Sequence, residues 1–225
     1  MNLTEQGHQI DLKEYWSSVK DWGKRNRRSF PWRKTRDPYH LLIAEFMLLR
    51  TQADQVEPVY RKFVSKYPSL EDAVEASHQD IHDILSPLGL SWRADRVYET
   101  LQILDKEHDV TVPSERDALV DLPGVSQYIA GAVRCFALGK PEALIDTNTV
   151  RITGRLFGLE IKDSSRRTNR FQRLIKELVD PNHPRHYNFS LLDLGAEICT
   201  SRNPNCARCP LSEMCVVGQS KLYSR

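Results

Sequence analysis

Four of the chain's five cysteines lie close together near its C-terminal end, at positions Cys199, Cys206, Cys209 and Cys215. A short loop that holds four thiols at these spacings can close around one metal centre. The N-terminal residues are polar and acidic and do not resemble a signal peptide, so we expect a metal centre rather than disulfides. Zinc sites favour two closely spaced cysteine pairs, and only one pair is that close here, while four thiolates also suit a [4Fe–4S] cluster. The spacing alone leaves iron–sulfur and zinc both open.

Helical periodicity dominates the rest of the chain. In residues 55–67, Val56, Val59, Tyr60 and Phe63 form part of one apolar face at helical spacing. No run of alternating apolar and polar residues convincingly indicates a strand, so we predict an all-α fold. The predicted helices cover 11–25, 39–52, 55–67, 70–76, 79–86, 92–107, a segment that begins at Pro113 with Ser114 as N-cap, 126–138, 147–157, 166–179 and 187–198.

The stretch 119–151 contains a helix–hairpin–helix pattern. A short helix ends at Leu122, a Pro123-Gly124 turn follows, and a second helix starts near Ser126. Gly124 can adopt a positive φ, and we expect the amides of Gly124, Val125 and Ser126 to lie at a helix N-terminus, where they favour an anion such as a DNA phosphate. A Pro-Gly pair between helices is most often only a turn, so this pattern needs independent support.

Two acidic residues, Glu45 and Asp146, are candidates for a functional role. Glu45 is the only polar residue in LLIAEFMLL, residues 41–49. A buried carboxyl group should be paired with a hydrogen-bond donor or cation, be protonated, or have a functional role. Glu45 is either a structural carboxylate or a proton donor beside a base pocket. Asp146 precedes Thr147-Asn148-Thr149, where it is either an ordinary N-cap or a functional carboxylate. Cys135 lies in an apolar helix and is expected in the core.

Charge is distributed unevenly although the net charge is only +2. Residues 20–36 carry eight Lys or Arg against one acid, and residues 162–176 carry six against one, whereas residues 71–83 carry five acids and no Lys or Arg. Such runs are usually solvated faces, but two basic runs also fit a molecule with one phosphate-facing side. No apolar run is long enough to span a membrane, and we expect a cytoplasmic, nucleoid-associated protein.

The motifs LPGVSQY and C-x6-C-x2-C-x5-C, with Asp146 between them, resemble the endonuclease III superfamily of helix–hairpin–helix DNA glycosylases. The resemblance implies a [4Fe–4S] cluster on the four cysteines. It also implies two helical lobes, a barrel over 27–137 with the hairpin and an iron–sulfur lobe formed by 1–26 and 138–225, with the active site in the cleft between them. Double-stranded DNA with a mismatched base is the implied partner, bound by a monomer.

Upstream, FPWRKTRDPYHLLIAEFMLLRTQADQV resembles the adenine glycosylase (MutY) branch and the archaeal thymine–DNA mismatch glycosylase (Mig) branch. Bifunctional members carry Lys where this chain has Tyr128, and that amine forms a Schiff base with the sugar. Tyr128, and Arg50 in LLRTQ, are closer to the thymine glycosylases, so the resemblance implies a monofunctional thymine and uracil glycosylase, with an adenine glycosylase as the alternative.

The same resemblance assigns site residues. Asp146 would stabilise positive charge on the deoxyribose or activate water, Tyr128 would position the base, sugar or water, and Glu45 would hydrogen-bond or protonate the leaving base. Ser126 replaces the second glycine of the family's hairpin, yet it still offers its amide. The expected DNA-binding residues are Gly124, Val125, Ser126, Arg50, Gln52, Arg33 and Trp92, the last as a wedge or else only a packed surface aromatic.

Overall fold

A computed structural model describes residues 1–223 of the chain, which divides into two compact units. One is the continuous segment Ser29–Gly139, and the other combines Met1–Arg28 with Lys140–Arg225. In chain order the strands and α-helices are β1 (Asn2–Glu5), β2 (His8–Asp11), α1 (Leu12–Asn26), α2 (Pro38–Leu48), α3 (Ala53–Lys66), α4 (Leu70–Val74), α5 (His78–Leu85), α6 (Trp92–Glu107), α7 (Arg116–Asp121), α8 (Gln127–Phe136), α9 (Thr147–Leu156), α10 (Asn169–Leu178), α11 (Pro184–Glu197) and α12 (Val216–Tyr223). Helices supply most of both hydrophobic cores, so the predicted all-α class is confirmed.

Helix α2 is the most deeply buried helix segment of the unit Ser29–Gly139. Asp37 caps its first turn by accepting hydrogen bonds from the amides of Tyr39 (2.8 Å) and His40 (3.4 Å). Every residue from Leu41 to Met47 is buried, and α2 packs against α3 and α8. The apolar composition noted in the sequence therefore places α2 inside the unit, with other helices packed around it.

In the second unit, α1 packs along α11. Gly23 permits the close approach, because a Cβ atom there would lie 1.8 Å from the Ser190 Oγ. Tyr15 and Tyr187 are fully buried and their hydroxyls lie 3.1 Å apart. Burial raises the pKa of both phenols, so they stay neutral and share one hydrogen bond.

The structure departs from the predicted elements in several places, and α10 and α11 each begin three residues away from their predicted starts. Residues 2–11 form a hairpin whose turn residues Gln6 and Gly7 both have positive φ, as a tight two-residue turn requires. Helix α2 ends at Leu48, four residues early, because Arg50 is left-handed. Helix α7 begins at Arg116 with Glu115 as N-cap rather than Ser114, and α12 was not predicted.

None of the helices in residues 1–223 has the length and apolar character needed to cross a membrane.

Candidate active site and metal centre

The hairpin between α7 and α8 is fixed by glycine and by helix α6. Gly124 has φ +79°, and a Cβ atom there would lie 3.1 Å from the Cβ of Arg96 and 3.2 Å from the Cε1 of Phe46. The buried hydroxyl of Thr100 donates to the carbonyl of Pro123 over 2.9 Å. The turn is therefore pressed onto α6 and needs glycine at its tip.

The backbone amides of the hairpin differ in their hydrogen bonding. The Ser126 hydroxyl caps α8 by accepting from the amide of Ile129 at 3.2 Å. The amide of Val125 donates to the carbonyl of Leu122 at 3.1 Å, and the Val125 side chain is buried in the core. Within residues 1–223 the amides of Gly124 and Ser126 have no hydrogen-bond partner. Of the three amides expected to bind an anion, these two are available and the third stabilises the turn.

Tyr128 and Glu45 lie on α8 and α2, which pack against each other. Tyr128 is the second residue of α8 and is half-buried against the core. Glu45 is only 6% exposed, so its expected burial is confirmed. A phenol and a buried carboxyl group thus project from adjacent helices.

Asp146 caps α9 through a reciprocal capping box. Its Oδ1 accepts from the amide of Thr149 at 2.7 Å, and its own amide donates to the Thr149 hydroxyl at 2.9 Å. Its Oδ2 accepts from the side-chain amide of Asn148 at 2.8 Å. All these donors are neutral, and no cation pairs with Asp146 in the part of the chain that the structure describes. The carboxylate is oriented without a cationic partner among the described residues, which suits it to stabilise a developing cation.

A chain of hydrogen bonds connects Asp146 to the cysteine loop. The Asn148 side-chain oxygen accepts from the Arg151 Nη2 at 2.8 Å. The same guanidinium donates to the Gly195 carbonyl at 2.7 Å and, through Nε, to the Cys199 carbonyl at 2.6 Å. A Cβ atom at Gly195 would lie 2.7 Å from the Cβ of Asn148, so glycine lets α11 approach. Asn148 and Arg151 therefore orient Asp146 together with the capping box of Thr149.

The four cysteines of the C-terminal loop line one cavity, together with apolar side chains such as Leu194 and Leu211. The Arg155 guanidinium and the Gly218 amide donate to the sulfurs of Cys199 and Cys215, each at 3.3 Å. Burial raises the pKa of Cys209 to about 12 and also raises the pKa of Cys215, with nearby thiols adding to both shifts. Four clustered thiolates would repel one another, so this set requires a bound metal centre to hold them deprotonated.

No three His, Cys, Asp or Glu side chains within residues 1–223 are grouped for a single metal ion. In a [4Fe–4S] cluster, by contrast, each thiolate binds a different iron, and N–H groups commonly hydrogen-bond to the sulfurs. The Arg155 and Gly218 donors to cysteine sulfur match that environment. The residues present fit an iron–sulfur cluster.

The side chains expected to contact DNA lie in one unit and are mostly exposed. Arg50 is exposed and left-handed, with φ 56°, and Gln52 is exposed just before α3. Trp92 opens α6 and is 40% exposed. Arg33 is half-buried, with its guanidinium 5.4 Å from the centre of the Phe30 ring.

Some arginines of the two basic runs form ion pairs within the protein. The Arg28 Nε donates to the buried carboxylate of Asp193 at 2.8 Å. Arg170 and Arg173 bind the carboxylate of Glu5 at 2.6 Å and 2.5 Å. These three arginines stabilise their own unit, so neither run is wholly available to phosphate.

Comparison with known proteins identifies the family. Residues 43–177 match the model of the HhH-GPD superfamily base excision DNA repair proteins, where HhH denotes helix–hairpin–helix. A thymine/uracil-DNA glycosylase of Methanothermobacter thermautotrophicus is 37% identical over 204 residues, which span 90% of this chain and 92% of that protein. The chain belongs to the HhH-GPD superfamily.

Further comparisons agree with that membership. The solved structure of a thermostable thymine-DNA glycosylase superposes with a TM-score of 0.86 at 36% identity, covering 93% of this chain and 97% of that one. An adenine DNA glycosylase of Mycolicibacterium smegmatis is 32% identical, with 85% of this chain and 65% of that protein covered. The chain is a DNA glycosylase, an enzyme that hydrolyses N-glycosidic bonds, and the predicted superfamily is confirmed.

The superfamily also decides the nature of the metal centre. Residues 199–215 match the iron-sulfur binding domain of endonuclease III. The range begins at Cys199 and ends at Cys215, so it spans the whole four-cysteine motif. The prediction of a [4Fe–4S] cofactor rather than zinc is confirmed.

Three residues of this glycosylase that sequence reasoning missed are Asn148, Arg151 and Arg93. Asn148 follows Asp146 by two positions, a spacing at which a side-chain amide can reach the capping carboxylate. Two of the acceptors of Arg151, the carbonyls of Cys199 and Gly195, lie more than forty positions away, so no local signal could reveal those bonds. Arg93 is completely buried although arginine is rarely fully buried, and nothing near it in the sequence predicts that.

Proposed function

We propose that this glycosylase removes thymine and uracil mispaired with guanine, by hydrolysis that leaves the DNA strand intact. Tyr128 is the observation that carries this function. A phenol at this position of α8 cannot form the Schiff base that a lysine would form, so covalent chemistry leading to strand cleavage is excluded there. Relatives named thymine/uracil-DNA glycosylase, 34–37% identical over most of this chain, support the choice of base.

Binding would begin at the hairpin. The unpartnered amides of Gly124 and Ser126, at the N-terminus of α8, would hold a backbone phosphate without reading sequence. Arg50, Gln52, Trp92 and Arg33 would contact the strand around the mispair. A mismatched base costs less to extrude than a paired one, which supplies part of the selectivity.

Three side chains would contribute to cleavage. Asp146, oriented by Thr149 and Asn148, stabilises the positive charge that develops on the deoxyribose or activates the attacking water. Glu45, buried among apolar residues, donates a hydrogen bond or a proton to the departing base. Tyr128 positions the base, the sugar or the water. The proposed lobes, 27–137 and 1–26 with 138–225, carry Glu45 with Tyr128 and Asp146 with the cysteines, respectively.

The ligands of the cluster would be Cys199, Cys206, Cys209 and Cys215. When bound, the cluster would supply a covalent clamp on the loop 199–215. The loop in turn accepts hydrogen bonds from Arg151 and Arg155 of α9. We propose that the enzyme acts as a monomer on mismatched duplex DNA in the cytoplasm.

The second candidate is an adenine glycosylase that acts on adenine opposite guanine or 8-oxoguanine. Its support is the set of relatives named adenine DNA glycosylase, such as the protein that is 32% identical over 194 residues. Both candidates share the hairpin, Asp146 and the cluster, so substrate alone separates them.

Single-turnover base release from matched T·G, U·G, A·G and A·8-oxoguanine duplexes tests the two candidates. Release from T·G and U·G, with nicks only after alkali, is the expected result. Release of adenine alone would establish the second candidate. Nicking without alkali, together with borohydride trapping of a covalent complex, would contradict the hydrolytic mechanism.

A further inference from the structure

Arg93 is a fully buried arginine that joins two separate loops. Its Nη2 donates to the Leu49 carbonyl at 2.6 Å and to the Thr51 hydroxyl at 2.8 Å. Its Nη1 reaches the carbonyls of Leu88 at 3.3 Å and Gly89 at 3.5 Å. The exposed fraction of Arg93 is 0%. One planar guanidinium therefore connects the loop after α2 to the loop before α6.

This arrangement is hard to explain by stability alone. All the acceptors of Arg93 are neutral, and no carboxylate pairs with it among the described residues. Its Nε is buried without an acceptor. Burial lowers the pKa of the guanidinium, the direction expected when a cation is desolvated without an anion nearby. A packed apolar side chain would avoid that cost, whereas only arginine offers a rigid fork of donors.

Both loops contain left-handed residues that need external support. Arg50 has φ 56° and lies between the two acceptors Leu49 and Thr51. Gly89 and Leu90 have φ 68° and 59°. Non-glycine residues rarely adopt this conformation, and it persists only when the surroundings enforce it. The bonds from Arg93 bracket the strained Arg50 on both sides.

The loop after α2 and the first residue of α6 present exposed side chains. Arg50 is exposed, and Trp92, which directly precedes Arg93, is 40% exposed. An exposed cation and an exposed aromatic ring are the groups that hold a phosphate and stack on a base, respectively. Because the guanidinium binds both backbones, it fixes the spacing between these two side chains.

We propose that Arg93 is a positioning residue that holds Arg50 and Trp92 as one DNA-contacting element and thereby promotes extrusion of the mispaired base. This role rests on the proposed function of the site. Arg93 itself touches neither DNA nor the reacting bond; it acts through the two loops.

The direct test measures extrusion without turnover. 2-Aminopurine placed beside the mismatched base fluoresces when the stack opens, and Asp146→Asn provides a background without base release. We expect the fluorescence rise to fall at least fivefold when Arg93→Lys is added, because lysine keeps the charge but cannot bridge both loops. Arg61→Lys, an exposed arginine on α3, is the matched control and should leave the rise unchanged.

Kinetics on two duplexes separate positioning from general damage. With otherwise wild-type enzyme, Arg93→Lys should slow uracil release opposite guanine at least tenfold. Release of uracil opposite an abasic-site analogue, where no pair must be broken, should slow less than threefold. Equal losses on both duplexes, or no loss on either, would overturn the role of Arg93.

Thr51→Val keeps the test decisive if Arg93→Lys does not fold. It removes one acceptor of the fork, and we expect a smaller loss of fluorescence with the same substrate preference. A folded Thr51→Val enzyme with the wild-type fluorescence rise would overturn the role of Arg93. Where Arg93→Lys does fold, adding Thr51→Val to it should cause no further loss, since both changes remove one interaction. If wild-type enzyme releases no uracil, the proposed function fails, while the fluorescence comparison still decides the role of Arg93.

Discussion

Gly124 is the residue at which backbone conformation and function coincide. Its φ of +79° and the contacts of 3.1–3.2 Å that a Cβ atom would make with Arg96 and Phe46 both disfavour a side chain. We expect Gly124→Ala to lower the free energy of unfolding by about 1–3 kcal/mol, since a left-handed alanine costs roughly 1–2 kcal/mol before any clash. Urea denaturation would measure this, and duplex affinity should fall as well.

Gly139→Ala is the control for that change. Gly139 has φ +69°, but a Cβ atom there would meet no other atom within 4 Å, so only the conformational cost applies. The variant should lose stability without losing duplex affinity. If both variants bind duplex DNA like the wild type, the hairpin does not hold the phosphate.

Single residues differed in how far the sequence could predict them. The burial of Glu45 was predictable because the residue stands alone in an apolar run, and a carboxylate before Thr147-Asn148-Thr149 has a local partner at Thr149. The amide of Val125 and the fork of Arg93 were not predictable. Their bonds depend on turn geometry and on residues over forty positions away.

At the scale of elements, α9 joins the candidate catalytic carboxylate to the cysteine loop. We expect Asn148→Ala to slow base release about tenfold or more, because Asp146 loses the donor to its Oδ2 and a small misplacement of a reacting group is costly. The capping box with Thr149 remains, so α9 should stay folded.

Single-turnover rates would measure the effect, and absorbance near 400 nm would verify that the cluster is retained. Thr147→Ala, at the exposed neighbouring position, serves as the control. An Asn148→Ala enzyme with the wild-type rate would show that the carboxylate needs no orientation from Asn148.

The carboxylate of Asp180 connects α1 to the residues just before α11, because it binds Lys20 and the amides of Asn182 and His183. Burial alone would raise its pKa, but the Lys20 ammonium at 2.6 Å and the amides of Asn182 and His183 lower the pKa below its usual value. A lowered pKa stabilises the fold above the unfolded value of about 3.9, and this contribution is lost as pH falls through the folded value.

Asp180→Asn should therefore destabilise the protein at pH 7 by about 1–3 kcal/mol and by much less near pH 3. Urea midpoints across that range would show the wild type and the variant converging. Asp21→Asn, at an exposed acid that also pairs with lysine, should change little at any pH. A difference for Asp180→Asn that does not vary with pH would contradict the assignment.

Helix periodicity predicted the elements well where an apolar face was continuous, as for α3 and α6. Helical periodicity missed the β-hairpin formed by β1 and β2. In that segment only Leu3 and Ile10 alternate with polar residues, on either side of the Gln6-Gly7 turn. The prediction also extended α2 to 52, past the end of the apolar run at Leu49, whereas the backbone turns left-handed at Arg50. Both errors arose where the signal for a turn was weak, at Gln6-Gly7 and at Arg50.

At the scale of the whole molecule, the hairpin and the cluster lie in different structural units. The hairpin is held by α6, α7 and α8 of Ser29–Gly139, whereas the loop 199–215 packs on the core that contains Ile152, Leu156 and Leu194. Arg151 and Arg155 of α9 donate to the carbonyls of Cys199 and Thr200. Loss of the cluster should therefore disturb Asp146 before it disturbs the hairpin.

Oxidative removal of iron tests this order. As absorbance near 400 nm declines, we expect single-turnover base release to fall in proportion, while affinity for undamaged duplex changes less than threefold at early times. Reconstitution with iron and sulfide should restore release. Parallel loss of release and affinity would mean that the cluster supports the whole protein. Full activity without the cluster would mean that α9 holds Asp146 unaided, so the hydrogen bonds that run from Asn148 through Arg151 to the loop would have no catalytic role.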